Sequence, residues 1–175
     1  MNGDNSRFTG RYRATVVSNI DPEQMGRLLV QVPDVLGSDP CFWAMPSSPV
    51  AGTQMGMYAV PPIGAGVWVE FEQGNPDYAI WTGSWRGSSA EVPAMALAAP
   101  PTNPPIVIQS IAQNKIILSS VPGEGIILET AAGPLGPRIV IDATTIKITN
   151  GLSSIEVSTT EVKINGTALV IKAVV

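Results

Sequence analysis

The chain has 175 residues and a mass of 18.3 kDa, with 45% apolar residues, only 14% charged residues and a formal net charge of -4 at pH 7. That charge content is far below the roughly 25% of an ordinary soluble domain, so a large subunit contact is expected. With no His and a single Cys, Cys41, the commonest acid–base group, the commonest metal ligand and any intrachain disulfide are excluded, and the acidic balance disfavours a surface that tracks phosphates.

Residues 1–10 read as a polar tail without the apolar core of a secretory signal. No run approaches 18 apolar residues, so stable membrane insertion is not expected. Synthesis in the cytosol is. Strands begin at Arg11, where Tyr12, Ala14 and Val16 share one face of residues 11–18. Asp21-Pro22-Glu23-Gln24-Met25-Gly26 is a turn, because Pro presets φ and Gly permits a positive one. Residues 27–33 form the second strand, 35–40 a turn-rich link, 41–45 a short third strand and 46–64 a long loop rich in Pro and Gly. In 67–72, Val67, Val69 and Phe71 alternate with Trp68, Glu70 and Glu72, and a fifth strand covers 78–85. Five short strands with one long connection suit a small Greek-key barrel of the OB type over residues 11–87.

Residues 88–105 change texture to Ala, Pro and Ser, which reads as a stiff, extended linker too short to hold an inserted enzyme. From Ile106 short apolar triplets recur: Ile106-Val107-Ile108, Ile116-Ile117-Leu118, Ile126-Ile127-Leu128 and Ile139-Val140-Ile141. Sharper alternations follow at Ile146-Lys147-Ile148, Ile155-Glu156-Val157, Val162-Lys163-Ile164 and Leu169-Val170-Ile171. Strands this short at so small a step point to a β-helix or narrow β-prism over residues 106–175. Such a sheet is one layer thick, and no second layer is encoded beside it. A further copy of the same sheet supplies that layer, so the expected assembly is a homo-oligomer, and three sheets around one axis make a closed prism. Its axis is then filled by Ile139, Ile141, Ile146, Ile148, Ile155, Val157, Val162, Ile164, Leu169 and Ile171. The same alternation also fits half of a β-sandwich whose other half is residues 11–85, a reading that the Pro-rich linker disfavours.

Several separated motifs occur in a telling order. They are Gly10-Arg11-Tyr12-Arg13-Ala14-Thr15-Val16, Asp21-Pro22 followed by Gly26-Arg27, and Trp43-Ala44-Met45-Pro46. Then come Pro61-Pro62-Ile63-Gly64-Ala65-Gly66-Val67-Trp68-Val69-Glu70-Phe71-Glu72 and Asn75-Pro76-Asp77-Tyr78-Ala79-Ile80-Trp81-Thr82-Gly83. Across residues 10–87 the chain resembles the OB domain of the central spike of contractile phage tails. This is the baseplate hub family that also includes phage assembly protein V and the valine-glycine repeat spike of type VI secretion. The resemblance implies an all-β protein, with an N-terminal OB barrel as collar and a C-terminal intertwined trimeric β-helix as needle. It implies a structural part that closes the tail tube and pierces an envelope on contraction, in a virion or phage-tail-like particle. A hub or tube-initiator protein is expected at the OB end. At the other end, the apolar terminus with Val174 and Val175 is expected to meet a PAAR-like tip protein.

The family's motif positions here are Trp43, Pro46, Pro61, Gly64, Gly66, Trp68 and Trp81. Gly64 and Gly66 suit a rigid turn rather than a phosphate cradle, since no P-loop Lys follows. Trp43, Trp68, Trp81 and Trp85 suit packing between subunits, with a base-stacking platform as the alternative, in which the chain is an oligonucleotide-binding OB protein. Glu70 and Glu72 read as a polar strand face rather than an acid–base pair. No enzyme activity, no cofactor, no metal and no nucleic-acid partner are expected, and the family's longer lysozyme-bearing members are set apart by an insertion this chain lacks.

Overall fold

The computed structural model describes residues 7–172, and of residues 40–42 the backbone alone. The chain forms two compact units that meet in sequence at Glu91 and Val92.

The first unit is a closed five-stranded barrel. Its strands are β1 (Tyr12–Ser18), β2 (Leu28–Gln31), β3 (Pro40–Pro46), β6 (Gly66–Phe71) and β7 (Ala79–Trp85), in the order β1-β2-β3-β7-β6 around the wall. All neighbours are antiparallel except β3 and β7, which run parallel where Met45 lies beside Ile80 and Pro46 beside Trp81. The alternation set by the sequence puts Ala14 and Val16, Leu28 and Val30, and Val67, Val69 and Phe71 inside, where with Val32, Ala44 and Ala79 they form the core. Closure leaves this sheet without a free edge.

Three local features depart from the linear reading. The 35–40 link begins inside a single helical turn, α1 (Pro33–Leu36), with Pro at its first position, where a missing N–H costs nothing. The long 46–64 loop holds a small hairpin of β4 (Ala51–Gly52) and β5 (Met55–Gly56). The strand expected to reach Glu72 ends at Phe71, because Glu72–Gly74 is a 3-10 turn with Gln73 at φ +53°.

The segment expected to be extended throughout is interrupted twice, by a 3-10 turn at Ser89–Glu91 and by the short helix that opens the second unit, α2 (Ala94–Ala98). Alanines 94, 96 and 98 explain it, since Ala has the best intrinsic helix propensity. Eight strands follow: β8 (Ile106–Gln109), β9 (Lys115–Leu118), β10 (Ile126–Glu129), β11 (Arg138–Ile141), β12 (Thr145–Asn150), β13 (Ser153–Ser158), β14 (Glu161–Ile164) and β15 (Leu169–Lys172). They form one sheet in strict chain order, each antiparallel to the next. Within one chain this is a meander, one layer thick, rather than a coil closed on itself. Its turns are local: Gly151 takes φ +60° in the two-residue link from β12 to β13, the positive value that primed hairpin turns need. Gly125 takes φ +70°, and a Cβ there would overlap the Ile141 carbonyl oxygen, so the chain passes that point only as glycine.

Candidate assembly face

Register turns the scattered triplets into a surface. Reading across the eight strands, Ile108, Ile116, Leu128, Ile139, Ile148, Ile155, Ile164 and Leu169 are successive partners. Two residues along, Ile106, Leu118, Ile126, Ile141, Ile146, Val157, Val162 and Ile171 make a parallel row. Because side chains two apart on a strand share a face, both rows lie on the same side of the sheet. The ten residues expected to fill an axis, Ile139, Ile141, Ile146, Ile148, Ile155, Val157, Val162, Ile164, Leu169 and Ile171, all belong to these two rows. The other six come from β8, β9 and β10. There all three residues of each triplet are apolar, so the sequence does not say which of the two faces is the one left uncovered.

In the single chain this face is open. Thirteen of the sixteen residues are exposed, from 39% at Leu128 to 61% at Ile106 and Ile108, with Ile146 at 46% and Ile148 at 47% in the middle of the sheet, while Ile139, Val162 and Ile164 are half-buried. A groove of about 910 Å³ runs over the face, floored by Ile108, Ile116, Ile139, Ile148, Ile155 and Ile164. A contiguous apolar surface of this length marks a place where another protein surface is meant to sit.

The opposite face changes character along the sheet. Val107, Ile117, Ile127 and Val140 are partners across β8 to β11, with Ile117 only 3% exposed, and the column continues as Lys147, Glu156 and Lys163. Beside the apolar stretch, Glu129 is nearly buried and takes Lys115 Nζ at 2.9 Å and Arg138 Nε at 3.6 Å. The sequence hides this cluster, because its members are far apart in number and meet only through register.

In the barrel each motif residue has a job inside the unit. Asp21 is held by its own turn: its carboxylate accepts backbone N–H groups from Glu23 at 3.0 Å, Met25 at 2.8 Å and Arg27 at 3.1 Å, and the Arg27 guanidinium at 2.7 Å. The Arg27 side chain, ahead of the backbone donors, pulls the Asp21 carboxyl well below the usual carboxylate range, and the pair raises Arg27 in turn. Arg27 also lies 5.6 Å from the Trp43 ring. Trp81 donates its indole N–H to the Gly26 carbonyl at 3.1 Å and packs against the core beside Pro46. Arg13 reaches two indoles, 5.7 Å from Trp68 and 5.2 Å from Trp85, while Trp85 donates to the Val67 carbonyl at 3.1 Å. Gly66 is required there, since a Cβ would fall 2.5 Å from the Trp85 ring. Gly64, at φ +86°, turns the chain into β6 and bonds Val16, and the Pro61 carbonyl takes the Asn19 amide at 3.0 Å.

The four Trp side chains are thus half-buried and engaged by neighbours of their own chain. Arg11 and Glu70 form an exposed pair at 2.6 Å, and the strand that carries Glu70 ends at Phe71, one residue before Glu72. Val174 and Val175 lie outside the described residues. Among the described residues no three Asp, Glu, Cys or His side chains gather as a metal would require, and no helix is long and apolar enough to cross a membrane.

Comparison with known families agrees with this division. Residues 12–85 match the Type VI secretion system/phage-baseplate injector OB domain, and residues 105–170 match the phage baseplate V C-terminal trimerisation domain. No curated protein matches the chain.

Proposed function

Because this chain belongs to the phage baseplate V family of structural baseplate proteins, we propose that it is the central trimeric spike of a contractile tail, which closes the tube and is driven through an envelope on contraction. The observation that carries the reading is the pair of apolar rows, sixteen side chains on one face of a one-layer sheet. Three such sheets, each turning that face to a common axis, enclose the rows and form a prism. Ile139, Ile141, Ile146, Ile148, Ile155, Val157, Val162, Ile164, Leu169 and Ile171 then line the lower axis.

The mechanism is mechanical. Axial load falls on many backbone hydrogen bonds at once, and a dry core packed with β-branched side chains resists compression. The barrels, residues 11–87, form the collar that receives a hub protein, residues 88–105 join collar to needle, and residues 106–175 form the needle. A PAAR-like tip protein covers the C-terminal end at Val174 and Val175. The protein acts without catalysis and without a cofactor. It is made in the bacterial cytoplasm and built into a virion or tail-like particle.

Electron microscopy of the purified protein tests this reading. Three-fold averages with a ring of barrels and one narrow rod are expected; separate small globules overturn it.

A further inference from the structure

The two long edges of the sheet are not alike. In a meander every second turn lies on the same side. The links 110–114, 130–137, 151–152 and 165–168 therefore share one edge, and the links 119–125, 142–144 and 159–160 share the other. The first edge carries apolar tips that are almost bare: Ile111 at 86%, Leu135 at 83% and Leu152 at 101% exposure. Just inside it, Lys115 and Arg138 share the single carboxylate of Glu129, which leaves one positive charge over. Arg138 is mostly buried, with 22% of its side chain exposed, and its Nε has no hydrogen-bond partner among the described residues. A buried cation without a full set of acceptors is costly.

The second edge has the reverse defect. Along β9 to β12 it carries Glu124 and Asp142 and no Lys or Arg. The Asp142 carboxylate is fixed by the backbone N–H and the hydroxyl of both Thr144 and Thr145, at 2.7 to 3.0 Å. Those hydrogen bonds, led by the Thr145 hydroxyl, hold its carboxyl down at about 2, so it is a fixed negative charge.

We propose that Arg138 of one chain pairs with Asp142 of the next, locking the first edge of each sheet onto the second edge of its neighbour. The inference rests on the trimer reading and deepens it. With a three-fold axis along the stacking direction of the strands, the level of β11 recurs in every chain. The start of β11, at Arg138, then meets the end of the neighbour's β11, where Asp142 follows Ile141. The same contact gives Ile111, Leu135 and Leu152 a surface to lie on. Within one chain the two residues cannot meet, because four residue steps along the strand set them about 13 Å apart.

That distance makes a double-mutant cycle decisive. Sites this far apart in one chain contribute additively to stability. Arg138→Gln and Asp142→Asn are each expected to lower the melting temperature of the assembled protein, and the double variant is expected to melt no lower than the worse single one. Additive losses overturn the pair, and coupling of Arg138→Gln to Glu124→Gln in place of Asp142→Asn overturns the register. The second measurement does not depend on melting. Arg138→Cys with Asp142→Cys, in a Cys41→Ser background, is treated with a short bismaleimide and run on a denaturing gel. Bands of linked chains are expected, and single-chain bands from a protein of trimer mass overturn the pair. The mass of the unmodified protein is measured alongside, and a monomer there overturns the trimer reading itself rather than this contact.

Discussion

Ile148 on β12 stands directly opposite Ile155 on β13, and the two side chains keep 47% and 43% of their surface open. In the middle of an eight-stranded sheet such a pair is ordinarily covered by a second layer.

Ile148→Asp puts an unpaired carboxylate on this face, three times over in a trimer. Desolvating each charge costs several kcal/mol. The variant is expected to lose the assembly, read as a fall in solution mass or as precipitation. Lys147→Ala, one residue along on the other face, is expected to keep the mass of the unmodified protein.

The barrel is expected to lose stability in acid. The Asp21 carboxyl lies below its unfolded value of roughly 3.9, so the unfolded chain binds more protons as the pH drops. Its stabilisation is therefore complete above that value and is lost as pH falls through the folded one. Asp142, held at about 2, pushes the second unit the same way. Urea midpoints at pH 7 and pH 3 check this, and Asp21→Asn is expected to lower the pH 7 midpoint and shrink the difference between the two.

Gly66→Ala is expected to displace the Trp85 ring, since the new methyl falls within 3 Å of it. The displacement breaks the indole bond to Val67 and separates Arg13 from one of its two rings. Changed tryptophan fluorescence and a lower melting temperature are the readouts. Arg13→Met removes only the cation–π contacts, worth about 0.5–1 kcal/mol each at an exposed site, so its loss is the smaller.

The oligonucleotide alternative makes an opposite forecast. Trp43, Trp68 and Trp85 already hold Arg side chains, Trp81 is packed on the core, and the chain is acidic. No shift of single-stranded DNA is expected in a low-salt gel. Retarded DNA that is released by Trp68→Ala favours the alternative.

Much of this architecture can be read from the residues in a line. Val67, Val69 and Phe71 announce a barrel strand by period alone, and Ile146-Lys147-Ile148 announces a one-sided sheet. Features set by tertiary contact are silent. The hairpin at Ala51–Gly52 and Met55–Gly56 lies in a stretch whose Pro and Gly content reads as loop. The Lys115–Glu129–Arg138 cluster exists only because two registers align. In the triplet Ile116-Ile117-Leu118 no polar residue marks the face, and only pairing shows Ile117 turned away from the rows. The extension expected between barrel and sheet fails at the 3-10 turn Ser89–Glu91 and again at Ala94–Ala98, where local alanine propensity outweighs the surrounding prolines.

The most direct measurement is the solution mass of the intact chain by multi-angle light scattering, across a dilution series. A mass three times the 18.3 kDa of one chain, holding on dilution, is what the open isoleucine face requires. A stable, cooperatively melting monomer contradicts it, for then the two rows bear water unaided and the spike has no axis.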